Sequence, residues 1–318
     1  MSKVSVVIPS WKGCHHLEQL VPTVEADEII IVDAGSNDGT RELANRGGIR
    51  YLEIQENKGF AYAANAGIAA ARHGTVAVLN NDLKLSRDWF GLLLPHLDSY
   101  PYAVGKLLQW ETPDRLDGSW DALSLSGIPL RCGHGKPDGA LFSCAREIPF
   151  APWTAILLRR EFWQTLGPLE DSFGSYFEDV DYGLRALASG QKGYYEPAAV
   201  AWHRGSASLG PWHPRQVELS ARNQLLLVAK HGGKNWIERW PREFWVGQLL
   251  SGMAAAKHGQ LPAWWRGKRA GWRVLKQSAE PLDESLAAKL EALQGELFEL
   301  TQVGGADPFW RYYWALTL

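Results

Sequence analysis

Short apolar runs alternate with helical patterns through the first half of the sequence. The run at residues 4–8 is continuous and β-branched, as expected of a strand that is buried on both faces. The other elements of the pattern are apolar runs at 29–32, 51–54 and 75–79 and helical segments near 17–25, 40–46 and 61–71. Strands that alternate with helices predict an α/β fold, with a doubly wound, mostly parallel sheet flanked by helices.

A polar, turn-forming cluster follows each predicted strand. The clusters are Pro9-Ser10, Asp33-Ala34-Gly35-Ser36, Glu56-Asn57-Lys58-Gly59 and Asn80-Asn81-Asp82. Sheets of this kind bind their ligands beyond the carboxyl ends of the strands, where the topology switches. We therefore expect the functional site to be built from these clusters.

The pattern changes along the chain and predicts two regions. Residues 1–214 form the predicted α/β domain, with a nucleotide-binding half at about 1–110 and an acceptor half at about 111–214. Residues 110–150 are rich in Gly, Pro and polar side chains, which is typical of long loops. Residues 215–318 are predicted to be a helical, tryptophan-rich C-terminal region.

Composition and charge narrow the class of protein. Hydrophobic residues make up 46% of the 318 residues and charged residues 21%, which favours a folded protein with a sizeable core. The net charge of −2 argues against a nucleic-acid-binding protein. Three cysteines without a CxxC pair favour a reducing compartment. With neither a signal peptide nor a membrane span expected, the predicted location is the cytoplasm.

Two of the strand-end clusters carry carboxylates suited to ligand binding. Asp33 can accept hydrogen bonds from a nucleobase or a ribose, and a turn with a helix cap is the structural alternative. Asp82, at the end of Asn80-Asn81-Asp82, can hold Mg²⁺ or Mn²⁺ beside a diphosphate. The alternative for this second cluster is an Asx turn.

Acidic residues and one histidine in the later part of the domain add candidate chemistry. Glu178, Asp179 and Asp181 stand together at the start of a predicted helix. Favourable helix-dipole contacts and an i, i+4 pair between Asp181 and Arg185 explain one or two of these acids. A remaining carboxylate among aromatic residues can act as a general base. His203 is either structural or a metal ligand beside Asp82, and Arg204 is suited to a phosphate of the donor.

These motifs, in this order, resemble glycosyltransferase family 2 with its GT-A fold. The matching strings are SVVIPSWKG (5–13), IIIVDAGSNDGT (29–40), NKGFAYAANAGI (57–68), VLNNDL (78–83), YFEDVDYGLRALASG (176–190) and AVAWHRGSAS (199–208). The resemblance extends from residue 4 to about 232. Within the family, the sequence is most similar to the rhamnosyl- and galactofuranosyltransferase-like branch.

The resemblance implies roles for the matching positions. The implied contacts of the donor nucleotide are Pro9, Asp33, Gly59, Phe60, Asn65, Asn80 and Asn81. Asp82 matches the last acid of the family's DxD motif, which meets the metal, and His203 matches the metal-binding histidine. Asp179 matches the catalytic base, and Glu178 is its neighbour near the acceptor. Asn80 stands where the family has the first acid of DxD, and asparagine is a weaker metal ligand.

The implied reaction is metal-dependent transfer of a sugar, with inversion, from a nucleotide diphosphate to a hydroxyl group. The expected donor is dTDP-rhamnose or a UDP-hexose, and the expected acceptor is a glycan or a lipid-linked glycan in bacterial surface polysaccharide synthesis. A nucleotidylyltransferase is a weaker alternative, because residues 9–13 do not form its glycine- and arginine-rich loop. The alternative from another class is a non-catalytic protein that binds nucleotide sugars or glycans.

The C-terminal region combines aromatic and basic residues. Eight of the 16 tryptophans follow residue 230, and residues 230–276 contain ten Lys or Arg but only two acids. Helices of this composition suit an anionic membrane surface, which predicts a peripheral location at the inner face of the cell membrane. Packing of the tryptophans against the α/β domain or against a second subunit, in a homo-oligomer, is the alternative.

Overall fold

The computed structural model describes residues 3–205, 210, 212–303 and 307–318. The chain divides into two compact units. The first unit comprises the residues up to 121 together with 133–205, and the second comprises 122–132 and the residues after 205. Residues 122–132, which the sequence assigns to the α/β domain, thus belong with the helical unit.

The described residues form a succession of strands and helices. The strands are β1 (Val4–Ser10), β2 (Glu28–Asp33), β3 (Arg50–Glu53), β4 (Thr75–Leu79), β5 (Leu83–Leu85), β6 (Tyr102–Gln109), β7 (Leu116–Gly118), β8 (Asp121–Leu123), β9 (Pro129–Arg131), β10 (Arg146–Ile148), β11 (Ala155–Arg159) and β12 (Gly193–His203). The helices are α1 (Cys14–Leu20), α2 (Thr40–Arg46), α3 (Phe60–Ala70), α4 (Trp89–Leu93), α5 (Arg160–Leu166), α6 (Glu178–Ala188), α7 (Pro214–His231), α8 (Gly233–Arg239), α9 (Pro241–Lys257), α10 (Leu261–Gln277), α11 (Glu284–Ala292), α12 (Gln294–Gln302) and α13 (Pro308–Thr317).

The main sheet of the first unit is mixed. Its order is β10-β12-β6-β11-β4-β1-β2-β3, with β5 beside β12 and β7 beside β6. Strands β1 to β4 are parallel, as predicted, but β11 lies antiparallel to both β4 and β6. The predicted fold class, an α/β sheet flanked by helices with a helical C-terminal region, is confirmed. Among the described strands, the parallel pairs are those within β1–β4 and the β6–β12 pair.

Burial on both faces explains the apolar composition of the central strands. Every residue of β4 is buried, and in β1 only Pro9 is partly exposed. Helix α3 packs directly on this layer, since a Cβ atom added at Gly67 would lie 2.1 Å from Cγ1 of Val7. The alanine and glycine content of α3 therefore allows a close approach of helix and sheet.

The second unit is built around closely packed helices. Helix α10 lies against α7, where a Cβ atom at Gly267 would come within 2.2 Å of the carbonyl oxygen of Glu218. Trp236 and Trp240 are buried, and Nε1 of Trp236 donates to the carbonyl oxygen of Leu125 at 2.9 Å. This hydrogen bond attaches the segment 122–132 to the helices. No helix among the described residues is long and apolar enough to cross a membrane.

One lysine of α10 is buried inside the second unit. Lys268 is 3% exposed, its Nζ donates to Oε1 of Gln224, and it lies 5.6 Å from the ring centre of Trp264. Burial lowers the pKa of Lys268 to about 7, well below the ordinary 10.5. The unfolded chain therefore binds a proton more tightly than the folded chain, and the free energy of unfolding must rise with pH between these two values.

We predict that Lys268→Met stabilises the protein near neutral pH. A pKa difference of this size corresponds to about 5 kcal/mol, and loss of the hydrogen bond to Gln224 offsets about 1–3 kcal/mol of that. Chemical denaturation at pH 7 and pH 10 measures the effect. Between these two pH values, the free energy of unfolding should rise less in the variant than in the native protein. Lys276→Met, on the exposed face of the same helix, is the control. An unchanged pH dependence in Lys268→Met would contradict the assignment.

Candidate active site

The carboxyl ends of the parallel strands lie side by side at one edge of the sheet. Ser10 of β1 pairs with Asp33 of β2, which in turn pairs with Glu53 of β3. Strand β4, parallel to β1, ends at Leu79 and leads into residues 80–82. The polar clusters that follow these strands in the sequence therefore come together along this edge.

Hydrogen bonds connect the loops at this edge. The backbone N–H of Lys12 donates to Oγ of Ser36 at 2.7 Å, which joins the loops after β1 and β2. Nδ2 of Asn81 donates to Oγ of Ser10 at 3.1 Å, which joins the loop after β4 to the end of β1. The side chain of Asn81 therefore connects the loop after β4 to the end of β1.

Asp33 lies fully buried at the end of β2. Its Oδ2 accepts hydrogen bonds from the N–H of Ser36 at 3.1 Å and from the hydroxyl of Tyr51 at 2.7 Å. Its Oδ1 is buried and has no hydrogen-bond partner among the described residues. Buried carboxylate oxygens are normally satisfied, so Oδ1 is suited to an N–H or O–H donor supplied by a ligand.

His203, at the end of β12, lies between two carboxylates. Its Nε2 is 3.2 Å from Oδ1 of Asp82, and its Nδ1 is 2.8 Å from Oδ2 of Asp117. All three side chains are buried. The structure thus brings together Asp82 and His203, the two predicted metal ligands, and adds a third residue that the sequence analysis did not identify.

The pairing of the strands explains this arrangement. His203 ends β12 and pairs with Leu83 of β5, so it stands next to Asp82. Strand β7 pairs with β6 through a shift of register, in which Gly118 faces Leu107 while Leu116 faces the adjacent Leu108. Asp117 is the residue at this irregularity, a feature that commonly redirects a side chain near a functional site.

The electrostatics of the cluster follow from burial and charge together. Burial alone would lower the pKa of His203, but the hydrogen bonds and charges of Asp117 and Asp82 outweigh it and raise the pKa to about 9. Burial would likewise raise the pKa of Asp82, and the hydrogen bond and charge of His203 instead lower it. Without a metal ion, these contacts favour the protonated ring of His203 between Asp82 and Asp117, and a metal ion at Nε2 would have to replace the proton there.

Arg204 follows the cluster directly. Its backbone N–H donates to the carbonyl oxygen of Asp82 at 3.2 Å, and its guanidinium lies 4.6 Å from the ring centre of Trp110. One Nη donates to Gln19, whereas Nε is buried without a hydrogen-bond partner among the described residues. His16 is near enough to Asp82 and Arg204 for their charges to act on it, and burial together with neighbouring positive charge lowers its pKa.

The turn before α3 is in contact with the segment before α6. Gly59 has φ of +102°, and a Cβ atom there would lie 2.2 Å from the carbonyl oxygen of Gly174. The N–H of Phe60 donates to Oγ of Ser175 at 3.2 Å. Only glycine fits at position 59, because both its backbone conformation and this contact exclude a side chain.

Asn65, on α3, attaches the same helix to residues 163–171. Its Nδ2 donates to the carbonyl oxygen of Leu169 at 2.8 Å and to Asp171 at 2.9 Å. Its Oδ1 accepts from the N–H of Leu169 at 2.9 Å and from Nε1 of Trp163 at 3.3 Å. The side-chain amide is therefore used in holding this segment, and a donor contact at Asn65 stays a prediction.

Helix α6 begins with the acidic residues. Tyr176 and Phe177, directly before it, both have positive φ, a strained conformation that is concentrated at functional sites. Glu178 is buried and Asp179 is half-buried. Asp181 is fully buried and pairs with Arg185 at 3.0 Å, as the i, i+4 spacing predicts. The ion pair with Arg185 accounts for Asp181, and Oδ1 of Asp179 accepts a hydrogen bond from the N–H of Val180 at 2.8 Å. A catalytic role for Asp179 and Glu178 stays a prediction.

The comparison with protein families decides the assignment. The model of glycosyl transferase family 2 matches residues 5–166, which is half of the chain. This chain belongs to glycosyl transferase family 2. The family predicted from the sequence motifs is confirmed, and the rhamnosyl- or galactofuranosyltransferase-like branch stays a prediction.

Curated relatives are similar over most of this chain. A pre-mycofactocin glycosyltransferase of Mycobacterium tuberculosis is 28% identical over 222 residues, which is 67% of this chain and 45% of that protein. An N-acetylglucosaminyl-diphospho-decaprenol L-rhamnosyltransferase of the same organism is 24% identical over 273 residues, which is 72% of this chain and 85% of that protein. This family 2 chain spans about half the length of the first of these relatives.

Solved structures share the fold. GalNAc-T7, solved with UDP, GalNAc and Mn²⁺, has a TM-score of 0.61 at 14% identity, over 88% of this chain and 58% of that one. The mannosyltransferase PcManGT of Pyrobaculum calidifontis, solved with GDP-Man and Mn²⁺, has a TM-score of 0.52 at 16% identity, over 99% of this chain and 86% of that one. The predicted GT-A fold of this family 2 chain is therefore confirmed.

The side chains of this family 2 site supply only some of the ligands that a divalent cation needs. Asp82 and His203 supply one carboxylate and one imidazole nitrogen in direct contact. Within the described part of the chain, no three His, Cys, Asp or Glu side chains are arranged to hold a metal ion. A cation at Asp82 and His203 would thus take its remaining ligands from a bound diphosphate or from water.

We predict that Gly59→Ala destabilises this family 2 protein more than Gly48→Ala does. Both glycines have positive φ, but no atom lies within 4 Å of a Cβ at Gly48, whereas the Cβ at Gly59 meets Gly174. The expected losses in the free energy of unfolding are about 3 kcal/mol for Gly59→Ala and about 1 kcal/mol for Gly48→Ala. Urea denaturation measures both, and equal losses would show that the contact with Gly174 is unimportant.

Proposed function

We propose that this chain is an inverting, metal-dependent glycosyltransferase. It takes a sugar from a nucleotide-diphosphate donor, dTDP-rhamnose or a UDP-hexose, and attaches it to a hydroxyl group of a glycan or lipid-linked acceptor. Membership of family 2 supports the reaction class. The relative named as an L-rhamnosyltransferase that acts on a decaprenol-linked diphosphate sugar supports the choice of donor and acceptor. Synthesis of a surface polysaccharide in the cytoplasm is the setting that this acceptor implies.

The observation that carries the proposal is the contact of Asp82 with His203 at the strand edge that also contains Asp33. Asp33, with one unsatisfied buried oxygen, is suited to the base or ribose of the nucleotide. Asn80, Asn81 and Arg204 follow β4 and β12 at the same edge and are proposed to contact the ribose and the diphosphate. The sugar would then extend from the diphosphate toward the acceptor.

Asp82 and His203 are the proposed ligands of Mg²⁺ or Mn²⁺. Two structurally similar glycosyltransferases were solved with Mn²⁺ and a nucleotide or nucleotide sugar, which supports this choice. When bound, a divalent cation neutralises the negative charge that develops on a leaving diphosphate. Asp117 holds Nδ1 of His203 and so directs Nε2 toward Asp82, as outer carboxylates do at histidine metal ligands.

Asp179 is the proposed general base. It removes the proton of the acceptor hydroxyl while that oxygen attacks the anomeric carbon and the diphosphate leaves from the opposite face, which inverts the configuration. No covalent intermediate with the protein is needed. Glu178 is proposed to contact the acceptor. The close contact of Gly59 with Gly174 supports this placement, because it brings the segment before α6 to the donor-binding turn.

Release of nucleoside diphosphate tests the proposal directly. The purified protein is incubated with dTDP-rhamnose, UDP-glucose, UDP-galactose and UDP-galactofuranose, with Mn²⁺ or with a chelator, and with a lipid-diphosphate-linked sugar as acceptor. Acceptor- and metal-dependent release from one donor supports the proposal. Binding of a donor by calorimetry without turnover would favour the non-catalytic alternative.

We predict that Asp179→Asn lowers kcat by about 10²–10⁴-fold, the usual contribution of a positioned base, while the Kd of the donor is unchanged. Asp88→Asn, at an exposed acid of the same unit, is the matched control and should keep normal turnover. Steady-state kinetics and calorimetry provide the two measurements. Near-normal kcat in Asp179→Asn would remove this residue from the base role.

We predict that Asp117→Asn weakens metal activation. A neutral amide at Nδ1 holds the ring of His203 less firmly and makes Nε2 a weaker ligand than the carboxylate does, so the Mn²⁺ concentration for half-maximal activity should rise about 10–100-fold. The kcat at saturating Mn²⁺ should fall much less. Asp114→Asn, at the exposed acid three residues earlier, is the control. Equal Mn²⁺ requirements in the two variants would contradict the positioning role of Asp117.

A further inference from the structure

Helix α9 exposes an apolar stripe. Trp245, Leu249 and Met253 are 54%, 59% and 58% exposed, and their spacing of four residues places them on one face. Arg242 and Lys257 are exposed near the two ends of this stripe. Large apolar side chains in a row are unusual on a surface that faces only water.

Helix α10 exposes a tryptophan among cations. Trp265 is 65% exposed, and Arg269, Arg273 and Lys276 continue the same exposed face toward the C-terminal end of the helix. The helix contains neither Asp nor Glu. Within the described part of the chain, no carboxylate lies at ion-pair distance from these three cations, whereas the neighbouring Arg266 pairs with Glu218 at 3.0 Å.

The two faces form one surface. The indole of Trp245 on α9 stacks on that of Trp272 on α10, with ring centres 5.7 Å apart and an interplanar angle of 22°. A Cβ atom at Gly252 of α9 would lie 3.2 Å from the indole of Trp264 of α10. The stripe of α9 and the basic face of α10 are therefore neighbours, and we call them together the tryptophan–arginine face.

We propose that the tryptophan–arginine face binds the surface of a bilayer that contains anionic lipid. Exposed tryptophans with aliphatic neighbours enter the headgroup region of a membrane, and the unpaired cations beside them are complementary to anionic headgroups. This proposal gives the peripheral membrane location predicted from the sequence a defined surface. It does not rest on the proposed transfer reaction, because binding to vesicles needs neither donor nor metal.

A second copy of the chain fits the face less well. A two-fold symmetric contact through this surface would bring the cations of one α10 close to those of the other, without acids on the helix to compensate them. Two acids of the second unit, Glu284 and Glu291, pair with Arg239 instead of with the exposed cations of α10. Charge complementarity therefore favours an anionic lipid surface over self-association.

Sedimentation with vesicles tests the proposal. The full chain should sediment with vesicles of phosphatidylcholine that contain about one third phosphatidylglycerol, and much less with vesicles of phosphatidylcholine alone. Arg269→Glu/Arg273→Glu should weaken binding to the anionic vesicles at least about tenfold. Trp245→Ser/Trp265→Ser should weaken it by a similar factor without changing the preference for anionic lipid.

The control variant is Arg46→Glu/Arg87→Glu, which changes the net charge equally at two exposed arginines of the first unit. It should bind vesicles as the native protein does. Circular dichroism and thermal unfolding verify that all variants are folded. Absence of binding to either vesicle, or equal loss in the control, would overturn the proposal. A dimer in sedimentation equilibrium that Trp245→Ser/Trp265→Ser dissociates would overturn it in favour of self-association.

Discussion

The contact of His203 with two carboxylates is the interaction on which the site depends. Asp82 comes from the loop after β4, Asp117 from the irregular strand β7, and His203 from the end of β12, so the cluster joins three parts of the sheet. Hydrogen bonds and charges from Asp117 and Asp82 hold a proton on His203 in spite of its burial. A divalent cation at Nε2 would replace that proton and would face the same carboxylate of Asp82.

A second constraint acts through the backbone around α3. Gly59 allows the turn before this helix to touch Gly174, and the amide of Asn65 holds the backbone of Leu169 farther along the helix. The segment that leads to α6 is therefore attached to α3 at both ends. Tyr176 and Phe177, both with positive φ, follow this attached segment and lead directly into Glu178 and Asp179 at the start of α6.

The sequence predicted the parallel half of the sheet well, because β-branched runs between helical segments have few other interpretations. The apolar run at 75–79 coincides with β4, and the motifs identified Asp82 and His203. The direction of β11 was not predictable, since a buried antiparallel strand has the same apolar run as a parallel one. Asp117 was missed because its role arises from a register shift within the Gly- and Pro-rich region, where no periodicity marks β7.

The tryptophans and cations of the second unit show why composition alone could not decide between membrane contact and internal packing for this region. Trp236 and Trp240 are buried in the core, whereas Trp245 and Trp265 are exposed, and helical spacing does not say which face of a helix has a partner. The cations of α10 differ in the same way: Lys268 is buried with a lowered pKa, Arg266 is paired, and only the others face solvent unpaired. Because a buried or paired charge contributes little to the field outside, Arg269, Arg273 and Lys276 would contribute more than Lys268 or Arg266 to any attraction of α10 for an anionic surface.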